Sequence, residues 1–198
     1  MDNLQLIENA AQSLITKSAS KPPAAEVLSA LLEAEKAAKK DKITYQLQQL
    51  IGDWRLCFIT GTKKTQNRAG VVMGAGRYLP NFVTVKLSYL PSENGEENSE
   101  AEAGRVENSV GVGLVSFALS GPVKFLPKKN ILAFDFTRAT VKIFGKTIYD
   151  NYVRGGKKSE ESFYQKKVGQ QAFFAYFLIT EKAIAARGRG GGLAIWGR

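Results

Sequence analysis

Hydrophobic residues in the first fifty positions recur at helical spacing. In the first predicted helix the apolar positions are Leu4, Ile7, Ala11, Leu14 and Ile15. Their separation by three or four residues places them on one side of an amphipathic helix, which Pro22 and Pro23 prevent from continuing. A second helix begins near these prolines and runs to Lys39 and Lys40, and a short helical turn follows at 45–50. We therefore predict a helical segment over residues 1–50 that packs against the remainder of the chain.

From Trp54 onward the hydrophobic pattern changes to alternation. The alternating sets are Trp54, Leu56 and Phe58 in one segment and Val83, Val85, Leu87 and Tyr89 in the next. Further strands are predicted around 110–120, 131–136, 140–149, 162–168, 172–179, 182–187 and 193–197, with a turn at Gly121 and Pro122. Many short strands without helical crossovers predict a mainly β fold over residues 51–198. The sheet is antiparallel, has about eight to ten strands, and closes into a barrel or folds as a sandwich.

The stretch 91–109 interrupts the strand pattern. It contains six glutamates together with Asn, Ser and Gly, and almost no apolar residue. Such a segment cannot bury enough surface to offset the entropy of ordering it. We predict a mobile acidic loop between two strands at 91–109.

The chain contains no histidine and a single cysteine, Cys57. The lack of histidine excludes Ser-His-Asp and Cys-His hydrolases, His-ligated zinc sites and most imidazole acid–base chemistry. One cysteine allows neither an internal disulfide nor a multi-thiolate metal site. We therefore predict a non-catalytic protein with no catalytic residue, no metal and no cofactor, in which Cys57 is a half-buried strand residue.

The net charge of +10 lies in the second half of the chain. Residues 1–104 carry 12 basic and 12 acidic side chains, whereas residues 105–198 carry 16 and 6. A basic face there predicts peripheral contact with an anionic membrane surface, although a merely solvated basic surface fits the same counts. No segment has the roughly 20 apolar residues of a membrane-spanning helix, and the N-terminus lacks the pattern of a signal or transit peptide.

The predicted helices of residues 1–50 offer a different route to a membrane, as an anchor that lies on its surface. Interfacial helices usually have a strongly basic polar face. Here six basic residues are balanced by six acidic ones. Packing against the strands is therefore the favoured interpretation.

The segment that leads into the first strand contains the motif Gly52-x-Trp54. Glycine allows a tight turn, while the indole closes the floor of a barrel and is often covered by an Arg from the last strand. Arg198 is the candidate for that cation. The motif thus predicts that the two ends of the strand-rich region meet at the barrel floor.

A glycine-rich run at 187–192 begins with Arg187 and Gly188. It resembles an RNA-binding Arg-Gly tract, and adjacent glycines can also cradle a phosphate. The run is a single copy between two predicted strands and fits no phosphate-binding spacing, which favours a wide hairpin turn.

Four stretches between Leu50 and Arg198 match a known pattern in order and spacing. They are Leu50–Leu56, Gly121–Phe125, Asn130–Phe136 and the closing Arg187-Gly188-x-x-Gly191-x-Leu193-x-Ile195-x-x-Arg198, and they extend over about three quarters of the chain. Together they resemble the plastid lipid-associated protein family, also called fibrillins, of oxygenic phototrophs. The resemblance implies a calycin or lipocalin-like barrel, associated peripherally with the cytoplasmic side of thylakoid membranes or with lipid droplets (plastoglobules). It also implies a bound apolar molecule, such as a carotenoid, a quinone or another isoprenoid lipid.

The inward positions of the predicted strands are the candidate walls of a ligand site. They are Trp54, Leu56, Phe58, Val83, Val85, Leu87, Phe117, Phe134 and Phe136. A barrel of about eight strands either packs its interior solid or holds one small ligand. The same apolar side chains suit a guest or a dry core, so both interpretations stay open.

Two other functions fit parts of the sequence. A calycin barrel can act as a lyase that attaches a bilin chromophore to an antenna protein, which bilin transfer in a reconstituted assay would reveal. A nucleic-acid-binding module is favoured by a pI of about 9.7, but the aromatic residues fall at core-facing strand positions rather than among the lysines. We expect an apolar small molecule or lipid as the partner, and we do not expect nucleic acid.

Overall fold

The computed structural model describes residues 2–18, 20–61, 76–92 and 101–198. Its helices are α1 (Asn3–Ile15), α2 (Ala24–Lys40) and the short α3 (Gly156–Glu161). Its strands are β1 (Gly52–Ile59), β2 (Arg77–Tyr78), β3 (Val83–Pro91), β4 (Glu102–Val112), β5 (Val115–Leu126), β6 (Ile131–Phe134), β7 (Arg138–Ile143), β8 (Lys146–Tyr152), β9 (Ala172–Ile179), β10 (Ala183–Gly188) and β11 (Leu193–Gly197). Short 3₁₀ turns lie at Leu47–Gln49, Pro127–Lys129 and Val168–Gln170.

Eight of the described strands close into an antiparallel barrel. The order around it is β4, β3, β1, β11, β10, β9, β6 and β5, and β5 pairs with β4 to complete the ring. Closure gives each of these eight strands a paired neighbour on both sides. The fold is the mainly β, calycin-like barrel with an N-terminal helical segment that the sequence predicts.

At one end the barrel wall continues as an open sheet. The second half of β5, Val123–Leu126, pairs with β6, whereas its first half, Val115–Ser120, pairs with β7 instead. Strand β7 in turn pairs with β8. The strands β3, β4, β5, β7 and β8 therefore extend as one layer beyond the point where β6 and β9 complete the barrel.

Helices α1 and α2 pack on the outside of the barrel, over β1, β9, β10 and β11. Ile7 and Leu14 on α1, and Val27 and Leu31 on α2, have no accessible surface. Because protein covers the apolar stripes of both helices, a membrane-surface role for them would require that they leave the barrel.

The segment 162–168, predicted as a strand, does not form one. It follows α3 as a series of turns on the outer side of β5. The buried ammonium group of Lys124 donates hydrogen bonds to the backbone carbonyls of Tyr164 (3.2 Å) and Lys166 (2.5 Å). The prediction is wrong because a side chain, rather than a neighbouring strand, satisfies these carbonyls.

The predicted acidic loop at 91–109 is wrong for residues 102–109. Pro91 ends β3, and residues 102–109 belong to β4, which pairs with β3 on one side and with β5 on the other. Pairing on both sides, with Val106 buried against the barrel core, orders a polar segment that could not order itself. The remaining part of the predicted loop, 93–100, lies outside the described residues.

Candidate functional site

The floor of the barrel is built around Trp54 at the start of β1. Gly52 has a φ of 116°, a value that favours glycine, and turns the chain into the strand. The indole N–H of Trp54 donates a 2.7 Å hydrogen bond to the Leu50 carbonyl. The guanidinium carbon of Arg198 lies 4.1 Å from the centroid of the Trp54 ring, which is a cation–π contact. The meeting of Trp54 and Arg198 that the motif predicts is therefore present.

Above this floor, side chains fill the barrel interior. Those with no accessible surface include Trp54, Tyr89, Val123, Phe125, Leu132, Ile184 and Ala186. A side chain without accessible surface borders no space that would admit a water molecule. The lower barrel is therefore a dry core, with no room for a guest among these residues.

Two tyrosine hydroxyl groups meet inside this core. The Oη atoms of Tyr89 on β3 and Tyr176 on β9 are 2.7 Å apart. Burial raises the pKa of both phenols above their ordinary value, so both remain neutral. The hydrogen bond satisfies two polar groups in an apolar interior and links opposite walls of the barrel.

Beyond the core, the inner face of the sheet becomes accessible to solvent. Strand register places Val85, Val110, Phe117, Val141 and Tyr149 side by side across five strands, and Val83, Val112, Val115 and Ile143 in the next row outward, which is bordered on β8 by Lys146, the partner of Ile143. Phe117 is an even number of residues from Val123 and Phe125, so its side chain is on the same face of β5 as these core residues. We call the nine residues of the two rows the open face.

The open face is apolar and exposed. The exposed fraction is 42% for Phe117, 49% for Val115 and 52% for Val112. The opposite face of the same strands is polar, and there Arg138 donates hydrogen bonds of 2.6 and 2.7 Å to the two carboxylate oxygens of Asp150. A sheet with one polar and one apolar face normally buries the apolar face against a second layer. Within the described residues, no second layer covers the open face.

The structure divides eight of the nine predicted ligand-site residues between the packed core and the open face. Trp54, Leu87 and Phe134 belong to the packed core, where they are at most 9% exposed. Val83, Val85 and Phe117 belong to the open face. Leu56 and Phe136 are half-buried against the core.

Phe58 lies on the other side of the barrel wall, and its predicted inward position is wrong. A β-bulge shifts the register between β1 and β11, so that Leu56 faces Trp196 while Phe58 faces Ile195. Phe58 consequently belongs to the cluster beneath α1 and α2, where its ring is 5.2 Å from that of Tyr78, edge to face. The alternation in the sequence continues through the bulge, which explains the error.

Arg187 on β10 pairs with Glu35 on α2 and so links the barrel to the helix. This partner was not predicted from the sequence. Arg187 donates hydrogen bonds of 2.9 and 2.5 Å to the two carboxylate oxygens of Glu35, and these bonds lower the pKa of Glu35. Arg187 also donates to the Gly191 carbonyl at 2.6 Å. Gly188 donates to Gly192 at 2.9 Å, and the run 187–192 forms the hairpin turn between β10 and β11 that was predicted.

Cys57 is completely buried beneath α1, rather than half-buried. Its sulfur atom lies 3.4 Å from the Ala11 carbonyl oxygen. Burial raises the pKa of the thiol to about 12, so it remains protonated and unreactive at neutral pH. In the described ranges, no group of three or more His, Cys, Asp or Glu side chains is arranged to hold a metal ion.

A separate depression of about 750 Å³ lies between α1 and α2. Its lining includes Gln12, Ser13, Lys21 and Glu26. Polar and charged groups of this kind suit a hydrated groove, whereas apolar ligands are held by predominantly hydrophobic walls. The open face is therefore the stronger candidate for an apolar ligand.

Sequence reasoning missed most of the open face because two predicted strands each contain a hairpin turn. The predicted strand at 110–120 turns at Gly113, where φ is 58°, and the one at 140–149 turns at Phe144 and Gly145. The two glycines are the signals that mark these turns. Placing the turns correctly would have aligned Val110 with Phe117 and Val141.

Comparison of the chain with protein-family models, with curated proteins and with solved structures finds no match. Considering only the described part of the chain, no helix combines the length and the apolar character that crossing a bilayer requires.

Proposed function

We propose that the protein is a non-catalytic binder of an apolar molecule, such as a carotenoid, a quinone or another isoprenoid lipid, which lies against the open face. In this proposal it works as a peripheral carrier or coat at a photosynthetic membrane or a lipid droplet. The packed lower barrel serves as the rigid support that holds the open face in shape.

The observation that carries this proposal is the exposure of the open face. Apolar surface gains about 25 cal/mol for each Å² that leaves water, so covering partly exposed valine and phenylalanine side chains favours binding. Neighbouring strands are about 4.8 Å apart, and the row from Val85 on β3 to Tyr149 on β8 is therefore roughly 19 Å long. A strip of this length and chemistry suits an extended polyene or isoprenoid chain.

The chemistry of the open face supports binding rather than catalysis. Its side chains are valines, Ile143, Phe117 and Tyr149; the Tyr149 phenol is the one ionisable group among the nine, and the ammonium of Lys146 borders them beside Ile143. General acid–base or nucleophilic catalysis needs at least one positioned group that exchanges a proton near neutral pH or attacks the substrate. The open face offers contact area and shape instead.

The test compares what the protein retains when it is purified from a phototrophic host. Wild type, Phe117→Asn and the control Ala118→Asn, which changes the opposite face of the same strand, are purified in parallel and extracted with organic solvent. We expect mass spectrometry to detect an isoprenoid or polyene compound with wild type and with the control, and much less with Phe117→Asn. Equal amounts in all three samples, or none in any, would contradict the proposal.

A further inference from the structure

Three loop tips at the open end of the sheet carry large apolar side chains. Phe82 precedes β3, Leu114 lies between β4 and β5, and Phe144 lies between β7 and β8. Their exposed fractions are 74%, 63% and 73%. Strand register places the tips at the same end of the sheet, and the Phe144 N–H donates a 2.9 Å hydrogen bond to the Leu114 carbonyl. Phe82, Leu114 and Phe144 together form one protruding apolar edge, and we call them the tip residues.

Phe144 occupies a backbone conformation that disfavours it. Its φ is 50°, and that of Gly145 is 75°. A two-residue turn with positive φ at both central positions is normally built from Asn, Asp or Gly, because a bulky side chain is strained there. The ring gains no packing in return, since it is mostly exposed. Neither backbone conformation nor internal packing explains an aromatic residue at this tip.

The charge around the tip residues is predominantly positive. The segments 76–86, 108–120 and 136–149, which lead into and out of the three tips, contain five basic residues and no acidic residue. Two of the five are paired with carboxylates, Lys86 with Asp53 and Arg138 with Asp150. Lys142 and Lys146 lie two residues to either side of Phe144, and both side chains are exposed. An apolar edge bordered by cations complements a membrane with anionic headgroups, which attract lysines while the rings enter the acyl boundary.

We infer that the tip residues insert into an anionic membrane surface and so bring the open face to the lipid. This inference rests on the proposed function and deepens it, because it names the surface that meets the membrane. The open face adjoins the tip residues directly, through Val83 beside Phe82 and Val115 beside Leu114. An apolar ligand can then move between the bilayer and the open face without crossing water.

The experiment measures sedimentation of the full-length protein with ligand-free vesicles of phosphatidylcholine, with and without phosphatidylglycerol. Wild type is expected to bind the anionic vesicles and to lose affinity as salt is added. We expect Phe144→Asn to weaken binding at least about tenfold, because the variant removes the apolar ring while Asn suits the positive φ of the turn. The double variant Lys142→Gln, Lys146→Gln is expected to weaken binding by a factor of about 25, at roughly fivefold for each lysine near the surface.

Matched controls lie at the opposite end of the barrel. Leu90→Asn removes a side chain that is 52% exposed, and Lys128→Gln with Lys129→Gln removes the same charge as the lysine pair above. Both controls should bind like wild type. Thermal unfolding of Phe144→Asn should occur at the same temperature as wild type or higher, which separates loss of binding from loss of folding.

The outcomes separate this inference from the proposed function. Phe144→Asn should still bind the polyene fatty acid cis-parinaric acid in vesicle-free solution, whereas Phe117→Asn should still bind vesicles. Vesicle binding that the tip variants leave unchanged, or that the Lys128 and Lys129 control abolishes, would overturn the inference even if parinaric acid binds. A dimer of wild type that Phe144→Asn converts to monomer, without vesicle binding by either, would show instead that the tips meet a second copy of the chain.

Discussion

Phe117 and Phe125 lie on the same face of β5, yet they should respond in opposite ways to truncation. Phe125 has no accessible surface, so Phe125→Ala leaves a cavity in the core and should cost about 3–5 kcal/mol of unfolding free energy. Phe117 is 42% exposed. Because Phe117→Ala opens no closed cavity, it should cost only about 1 kcal/mol.

For ligand binding the order of the two variants should be reversed, with Phe117→Ala weakening binding more than Phe125→Ala. A phenylalanine has roughly 200 Å² of accessible area, of which about 80 Å² is still open to a ligand at Phe117. At about 25 cal/mol per Å², covering this area contributes about 2 kcal/mol, or roughly a thirtyfold change in Kd. Fluorescence titration with cis-parinaric acid should therefore show a Kd about thirtyfold higher for Phe117→Ala than for wild type.

Urea unfolding of the same two variants measures how much each substitution lowers the unfolding free energy. We expect Phe125→Ala, in conditions where it remains folded, to bind parinaric acid within a few-fold of wild type. Wild-type affinity of Phe117→Ala, or loss of binding by Phe125→Ala alone while it remains folded, would contradict this prediction. Either result would move the site from the open face into the barrel core.

Two further predictions concern the contacts between the helices and the barrel. Arg187→Met should lower the unfolding free energy by about 2 kcal/mol at neutral pH, less than for a fully buried ion pair because the Arg187 side chain is 32% exposed. Arg187 lowers the pKa of Glu35, so the stabilisation is complete above the ordinary carboxyl pKa and disappears as the pH falls through the lowered value. Urea unfolding at neutral and acid pH should show the difference between variant and wild type shrinking with acid, and a constant difference would contradict this. Cys57, whose thiol pKa is raised to about 12, should react with Ellman's reagent at pH 8 only as fast as α1 or the whole chain opens, and rapid reaction of the folded protein would show that α1 does not cover it.

The barrel itself could be predicted because its signals are local. Alternating apolar residues mark the strands, and the glycine and tryptophan of Gly52-x-Trp54 mark the entrance to the first strand. The contact between Trp54 and Arg198 joins positions far apart in sequence, but an Arg from the last strand often covers the tryptophan of this motif, and Arg198 is the candidate there. The apolar faces of α1 and α2 could likewise be predicted from the spacing of three or four residues between hydrophobic positions.

The remaining features depend on tertiary structure. An alternating hydrophobic pattern cannot predict the β-bulge that turns Phe58 outward. Strand β4 is ordered by its pairing with β3 and β5, although its own composition is polar. Glu35 meets Arg187 only because α2 packs over β9, the neighbour of β10 in the sheet. The open face exists because β7 and β8 continue the sheet past the closed barrel, and this depends on which half of β5 each neighbour pairs with.

The most direct test of the central claim locates an apolar ligand on the protein. A fatty acid with a nitroxide near the end of its chain broadens the amide NMR signals of residues close to it. We predict selective broadening at residues 110–117 and 139–143 and on β3 near Val85, with sharp signals at the barrel floor around Trp54 and on α1. Broadening centred on the floor or between the helices, or none at all, would contradict the assignment of the open face as the ligand site.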